Sequence, residues 1–203
     1  MAVMHPATCP DMANGGERAV YAMIEAFLDG DWSAWFQTAV PGRTGNRHET
    51  PLRADFVLLG PTGLTVLEVK SWHAAAVEES DGNRVHFRNG ATAQHPLVQA
   101  YRYAAELRAL LRSQPGSLQI DPVTVRYAAA LPYVHAGEVA GVPAFSGPQI
   151  LPAESLGPAL PASLAALLPI GGSVSPAQAA AIRRLLTRPE AHAAAGQGPL
   201  FEC

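Results

Sequence analysis

The chain has 203 residues, of which 48% are hydrophobic and 15% are charged, and its formal net charge at pH 7 is −3. These values allow one domain with a sizeable core and exclude a global basic field that would by itself attract nucleic acid. The two cysteines, Cys9 and Cys203, provide no disulfide framework, and no apolar run is long enough to span a bilayer. Because the first residues show no signal-peptide pattern, we expect a cytoplasmic protein without membrane contact.

The predicted elements begin after a flexible leader at residues 1–13. Asn14 and Glu17 form a capping-box pattern, which predicts a helix that starts there and ends near Gly30. Runs of apolar residues then predict three strands, and a Gly60–Gly63 turn joins the last two into a hairpin. The three strands are expected at 35–40, 54–59 and 64–70.

The second half of the chain adds a smaller hairpin at 75–88 and a long helix that begins at Pro96, since proline is favoured in the first turn. A buried strand is expected at 123–131. The order of helix, three strands, helix and strand predicts an α/β fold, with helices flanking a central mixed β-sheet. A proline- and alanine-rich extension at 136–188 is expected to pack short helices on this core, and a flexible tail follows at 189–203.

The use of lysine singles out one position. Of the 14 basic residues, 13 are arginine and the remaining one is Lys70. A lysine in so arginine-biased a chain indicates a need for a compact ammonium group rather than a planar guanidinium group.

The predicted hairpin brings two acidic residues beside this lysine. A turn at Gly60–Gly63 sets a register in which Asp55 lies directly opposite Glu68, with Lys70 further along the same face. Like charges at such positions are destabilising, so a bound divalent cation is the expected compensation. Mg²⁺, with Mn²⁺ as its substitute, prefers carboxylate oxygens and activates water for phosphodiester hydrolysis, while a lysine orients that water or balances negative charge.

A plainer interpretation of the same residues stays open. A Glu-x-Lys triplet is common on solvated strand faces, where it forms a weak ion pair. Glu17 has its capping box as an alternative role, and the alternative for Gln99 is a helix-surface amide.

Four stretches of the chain, taken in order, resemble the NERD (nuclease-related domain) family, a branch of the PD-(D/E)XK nuclease superfamily. The four stretches are Gly16-Glu17 at a helix start, 54–59, 63–72 with its Glu-Val-Lys-x-Trp element, and 96–99. The resemblance covers about residues 15–135, although His73 stands where a glycine commonly follows the tryptophan. It implies a restriction-endonuclease-like core of order αβββαβ, as a nuclease-like domain at 14–135.

The resemblance also implies the roles of individual residues. The implied catalytic residues are Asp55, Glu68, Lys70, Glu17 and Gln99. Asp55 and Glu68 are expected to bind the metal together with the backbone carbonyl of Val69, and Lys70 resembles the catalytic lysine.

Nucleic-acid contacts are expected from residues around these strands. Arg43, Arg47 and Arg53 flank the acidic strand and are candidates for contacts to a nucleic-acid backbone, with an ordinary solvated surface as the alternative. Trp72 is a candidate for stacking on a base, and a core position is its alternative.

Two functions follow from these expectations. The first is a Mg²⁺-dependent deoxyribonuclease, a hydrolase that acts in DNA repair or phage defence. The second is a non-cleaving module with a nuclease-like fold that binds nucleic acid or recruits a partner. A helicase or another DNA-processing protein is the expected partner, and a homodimer is compatible with the fold. The chain itself contains no GxxxxGK[ST] loop.

Overall fold

The computed structural model of this protein describes residues 1–40, 52–114, 125–139, 145, 147–167 and 174–187. Two sequence predictions therefore lie outside the described residues. They are the backbone contacts of Arg43 and Arg47 and the flexible tail at 189–203.

A six-stranded sheet forms the centre of the described structure, with the strand order β1-β2-β3-β4-β8-β9. β2, β3 and β4 are antiparallel neighbours, whereas β1, β8 and β9 each pair in parallel. The predicted central mixed sheet is therefore confirmed. The strands are β1 Val3–His5, β2 Ser33–Val40, β3 Leu52–Gly60, β4 Gly63–Val69, β8 Val125–Leu131 and β9 Ile150–Pro152.

The helices cover both faces of this sheet, as predicted. On one face α1 packs with α4 and α5 against a core that includes Phe56 and Leu67. On the other face α2 and α6 pack against a core that includes Trp35 and Val66. The helices are α1 Gly15–Phe27, α2 Pro96–Arg112, α3 Ala136–Val139, α4 Ala153–Leu156, α5 Leu160–Ala166 and α6 Pro176–Leu186.

A second, three-stranded antiparallel sheet lies between β4 and α2 along the chain. The predicted small hairpin is present as β5 Val77–Ser80 and β6 Arg84–Phe87, and β7 Thr92–Gln94 pairs with β6. Val77 and Val85 anchor this sheet in a small core that they share with Ala129 and Leu131 of β8 and Ile150 of β9.

The central hairpin has the predicted register. Gly60 pairs with Gly63, Leu59 with Leu64, and the ladder continues to Phe56 and Leu67. Gly63 has a φ of 117°, a conformation that L side chains rarely adopt, so glycine is required at this corner of the turn. The turn thus fixes which side chains of β3 and β4 share a face.

Residues 3–5 differ from the prediction of a flexible leader. They form β1, which pairs in parallel with Ser33–Trp35 of β2, and Ala2 and Met4 are buried in the core under α1. Three residues are too few to show a strand periodicity, and two nearby prolines give the segment the appearance of a loop. The long-range pairing with β2 determines its structure.

The starts of the two long helices follow local signals. Asn14 accepts a hydrogen bond from the N–H of Glu17, and the Glu17 carboxylate accepts one from the N–H of Asn14, so the predicted capping box is confirmed. Helix α2 begins at Pro96 as predicted, and its N-cap, His95, accepts a hydrogen bond from the N–H of Leu97. In the part of the chain that the structure describes, no helix has both the length and the apolar character needed to cross a membrane.

Candidate active site

Asp55 interrupts the ladder between β3 and β4. The regular pairs end at Phe56 and Leu67, and two residues further along β4 the N–H of Val69 donates to Oδ2 of Asp55 at 2.7 Å. The Asp55 side chain therefore occupies the position of a backbone acceptor, which fixes one carboxylate oxygen against the end of β4.

Glu68 is almost completely buried, with 1% of its surface exposed. Its Oε1 lies 2.6 Å from Nζ of Lys70, and its Oε2 is buried without a hydrogen-bond partner. A buried oxygen without a partner costs free energy, which is consistent with a polar or charged group binding there in the functional state.

The ammonium of Lys70 is held on two sides. Besides Glu68 it donates to Oε1 of Gln99 on α2 at 3.1 Å, and Nε2 of Gln99 in turn donates to the hydroxyl of Tyr103 at 2.9 Å. The structure thus brings Glu68, Lys70 and Gln99 together, as the resemblance implies. Tyr103 was not predicted, although its position four residues after Gln99 on the same helix places the two side chains side by side.

The two carboxyl groups have raised pKa values. Burial raises the pKa of Asp55 to about 6, although the N–H of Val69 and the charge of Lys70 act to lower it. Burial and then the adjacent charge of Asp55 raise the pKa of Glu68 to about 8, despite the opposing effect of Lys70. The unfavourable proximity of two carboxylates, predicted from the hairpin register, is therefore present in the structure.

Glu17 lies at the start of α1, close enough for its charge to raise the pKa of Asp55. One of its oxygens serves the capping box, so the capping role given as an alternative is real. Ser71 ties this helix start to the end of β4, because its hydroxyl accepts the N–H of Gly16 and donates to Oδ1 of Asn14. Ser71 was not among the predicted site residues.

The donor set suits a hard divalent cation, although it is small. Among the described residues, no three His, Cys, Asp or Glu side chains are grouped as metal ligands, so Asp55 and Glu68 are the two carboxylates that could hold a cation here. Mg²⁺ commonly takes only one or two protein carboxylates and keeps several waters. The unpartnered oxygen of Glu68 and the raised pKa of both carboxyl groups are what a site built for a cation is expected to show without it.

The predicted nucleic-acid contacts have different surroundings. Arg53 is half-buried on β3, two residues before Asp55, where it pairs with Ala39 of β2. Trp72 packs edge-on against Phe87, with ring centroids 5.0 Å apart, and Lys70 Nζ lies 5.9 Å from the centre of the Trp72 ring. The half-buried ring of Trp72 thus helps to position Lys70. This placement is close to the core position that was the alternative to base stacking for Trp72.

Comparison with known proteins agrees with this geometry. The family model "Nuclease-related domain" (NERD) matches residues 13–127. A curated relative from Streptomyces coelicolor, named "Probable kinase PglW", is 33% identical over 107 residues, which is 51% of this chain and 6% of that protein. The chain therefore spans only a small part of that relative. No solved structure matches the chain.

Proposed function

This chain belongs to the nuclease-related domain family, and from that premise we propose that it hydrolyses phosphodiester bonds of nucleic acid, DNA first, in a metal-dependent reaction. One observation carries the proposal: two buried carboxyl groups with raised pKa values share one end of a hairpin with the chain's single lysine. We also propose that the core, from α1 through β8, is of the restriction-endonuclease type.

Each site residue has a role that fits this reaction. Asp55 and Glu68 would hold the ion, Glu68 through its unpartnered Oε2, and the carbonyl of Val69 is the third proposed ligand. When bound, the ion polarises a phosphoryl oxygen and lowers the pKa of a coordinated water. Lys70, which donates a hydrogen bond to Gln99, would orient the attacking water and stabilise the negative charge that develops on the phosphoryl group.

Burial supports the same roles. A carboxylate pair in a poorly solvated position attracts a cation more strongly than an exposed pair, because the lower local dielectric strengthens the attraction and the carboxylates have already lost their water on folding. Protons must leave Glu68 and Asp55 for the ion to bind, so the proposed activity depends on pH.

A non-cleaving module remains the second candidate function. It is favoured by the net charge of −3, which gives no general attraction to nucleic acid, and by the small share of the PglW relative that this chain matches. Recruitment of a helicase or another DNA-processing protein, homodimer formation, and a place in DNA repair or phage defence stay predictions.

The deciding experiment is cleavage of circular and linear DNA, and of RNA, with Mg²⁺, Mn²⁺ or EDTA. Wild type is compared with Asp55→Ala, Lys70→Ala and a control, Glu78→Ala, which removes an exposed carboxylate from β5. We expect metal-dependent cleavage that falls at least ~100-fold in the two site variants and not in the control. Cleavage that survives both substitutions would place the reaction elsewhere, and DNA binding without cleavage would favour the module.

A further inference from the structure

A cavity of about 380 Å³ lies beside the outer edge of β2, separate from the carboxylates. Its walls are largely apolar, and Pro6, Pro10 and Met12 form one side. Met12 is 62% exposed, so the cavity opens to solvent at that residue. Gln37 and Thr187 add the polar groups of the wall.

Gln37 places this cavity one strand away from the candidate active site. Phe36 pairs with Phe56 and Thr38 pairs with Ala54, so Gln37 falls opposite Asp55 at a position where the two strands form no regular pair. The regular pairs on either side, with Cα atoms about 4.5–5.5 Å apart, keep β2 and β3 side by side at this point. One wall of the cavity thus belongs to the residue of β2 that lies opposite Asp55.

Gln37 is also the one non-glycine residue with a positive φ, 48°, in the part of the chain that the structure describes. Such a conformation in the middle of a strand is unfavourable and is typical of functional sites, where the surrounding structure enforces it. Here the conformation interrupts the β2–β3 ladder opposite Asp55, at a residue that lines the cavity.

An aromatic ring of the cavity wall, that of His5, is supported by the residue behind it. The ring of His5 stacks on Trp35 with centroids 5.3 Å apart and an interplanar angle of 12°. Nε1 of Trp35 donates to the hydroxyl of Thr187 at 3.1 Å, and this hydrogen bond fixes the position of the indole ring. A flat, supported ring beside apolar walls and one amide matches the needs of a nucleobase, which has two apolar faces and a hydrogen-bonding edge.

We propose that this cavity binds an unpaired nucleobase of the substrate strand, next to the phosphate that is cleaved. The inference rests on the proposed function, because the ligand of the cavity is part of the substrate that we propose for the neighbouring carboxylate site. The base stacks against the His5 side of the cavity, and the amide of Gln37 hydrogen-bonds to its edge. Nucleic acid with an unpaired base near the cleaved bond is therefore the preferred substrate class.

Methyl NMR tests the binding directly, without metal and without cleavage. Of the four methionines, Met12 lines the cavity, and the other three serve as internal references: Met1, Met4 and Met23. The full chain with ¹³C-labelled methionine methyl groups is titrated in EDTA with deoxyadenosine, with deoxyribose, and with N-acetyltryptophanamide. The Met12 signal is assigned with Met12→Leu.

We expect deoxyadenosine to shift the Met12 signal upfield through its ring current and to leave the three references in place. Gln37→Ala should weaken this binding several-fold, whereas Gln94→Ala, on the distant β7, should not. A Met12 signal that ignores deoxyadenosine overturns the proposal. An equal response to N-acetyltryptophanamide also overturns it and assigns the cavity to a peptide side chain. Because no metal is present, a failure of cleavage is a separate result.

Discussion

The hydroxyl of Tyr103 accepts a hydrogen bond from Nε2 of Gln99 and thereby fixes which end of that amide faces Lys70. An amide can rotate to present either its oxygen or its nitrogen, and only the oxygen can accept a hydrogen bond from an ammonium group. Tyr103 is thus a positioning residue that acts through Gln99 on the lysine.

Tyr103→Phe should lower the rate of cleavage by about 3- to 10-fold with little change in KM, because a hydrogen bond of about 1 kcal/mol that orients the site is lost. The matched control is Tyr101→Phe on the same helix, since Tyr101 is 57% exposed. Steady-state cleavage rates of both variants decide the matter. If both variants keep wild-type rates, Tyr103 has only a packing role.

Amide substitution of Glu68 should stabilise the metal-free protein at high pH. The folded state raises the pKa of Asp55 from 3.8 to about 6 and of Glu68 from 4.5 to about 8. Both groups therefore bind protons more tightly when folded, so their contribution to stability is fully present below pH 4 and is lost as pH rises through about 6 and then 8. Glu68→Gln removes the loss of stability that accompanies deprotonation of Glu68, because the amide does not titrate.

Thermal unfolding in EDTA at pH 4 and pH 8 measures this effect. We expect Glu68→Gln to raise the Tm at pH 8 by a few degrees, on the scale of about 2–4 °C per kcal/mol, and to have much less effect at pH 4. The exposed Glu78→Gln should change the Tm at neither pH. A lower Tm for Glu68→Gln at pH 8 would mean that the attraction to Lys70 outweighs burial and repulsion.

Divalent cations should stabilise the wild-type protein and do so more strongly at higher pH. A ligand at a concentration of 100 times its Kd adds about 2.7 kcal/mol to the free energy of unfolding. This corresponds to a rise in Tm of about 5–10 °C for a chain of this size. Since Glu68 and Asp55 must lose their protons first, the apparent affinity should increase between about pH 6 and pH 8.

Titration calorimetry with Mg²⁺ and Mn²⁺ at several pH values checks this increase, and EDTA should reverse the rise in Tm. Asp55→Asn keeps an acceptor for the N–H of Val69 and removes one negative charge, so it serves as the matched variant. A cation that stabilises Asp55→Asn as strongly as wild type binds at another site.

Gly16→Ala should destabilise the protein and reduce its activity. A Cβ at this position would lie 2.4 Å from the hydroxyl oxygen of Ser71, so either α1 or the segment after β4 must move. We expect a loss of about 1–3 kcal/mol in urea unfolding. Gly137→Ala is the control, because a Cβ there would contact nothing within 4 Å. Equal stability of the two variants would show that Ser71 moves away without cost.

The sequence predicts well the parts of the fold that depend on local signals. The Gly60–Gly63 turn sets the register of the hairpin as far as Phe56 and Leu67, and the next residues, Asp55 and Glu68, lie close enough for the charge of Asp55 to raise the pKa of Glu68. The capping box at Asn14 and the proline at the start of α2 located two helix starts. Each of these features is determined by residues within a few positions along the chain.

What the sequence does not predict depends on partners far away in the chain. β1 and β9 are three residues long and exist because β2 and β8 offer an edge to pair with. Similarly, the acceptor role of Asp55 toward Val69 arises where a ladder ends, and no local pattern marks that point. The role of Tyr103 was only partly predictable. Its spacing from Gln99 is visible in the sequence, but its effect depends on the contact between Gln99 and Lys70.

The pairing of β1 has a practical consequence for anyone who isolates this domain. The family match begins at residue 13, so a domain trimmed to that boundary would lose Val3–His5. The outer edge of β2 would then present unpaired N–H and C=O groups, which are a template for pairing with another chain. A fragment cut by family boundaries should therefore self-associate, and an aggregated preparation would reflect the choice of its first residue rather than a weak fold.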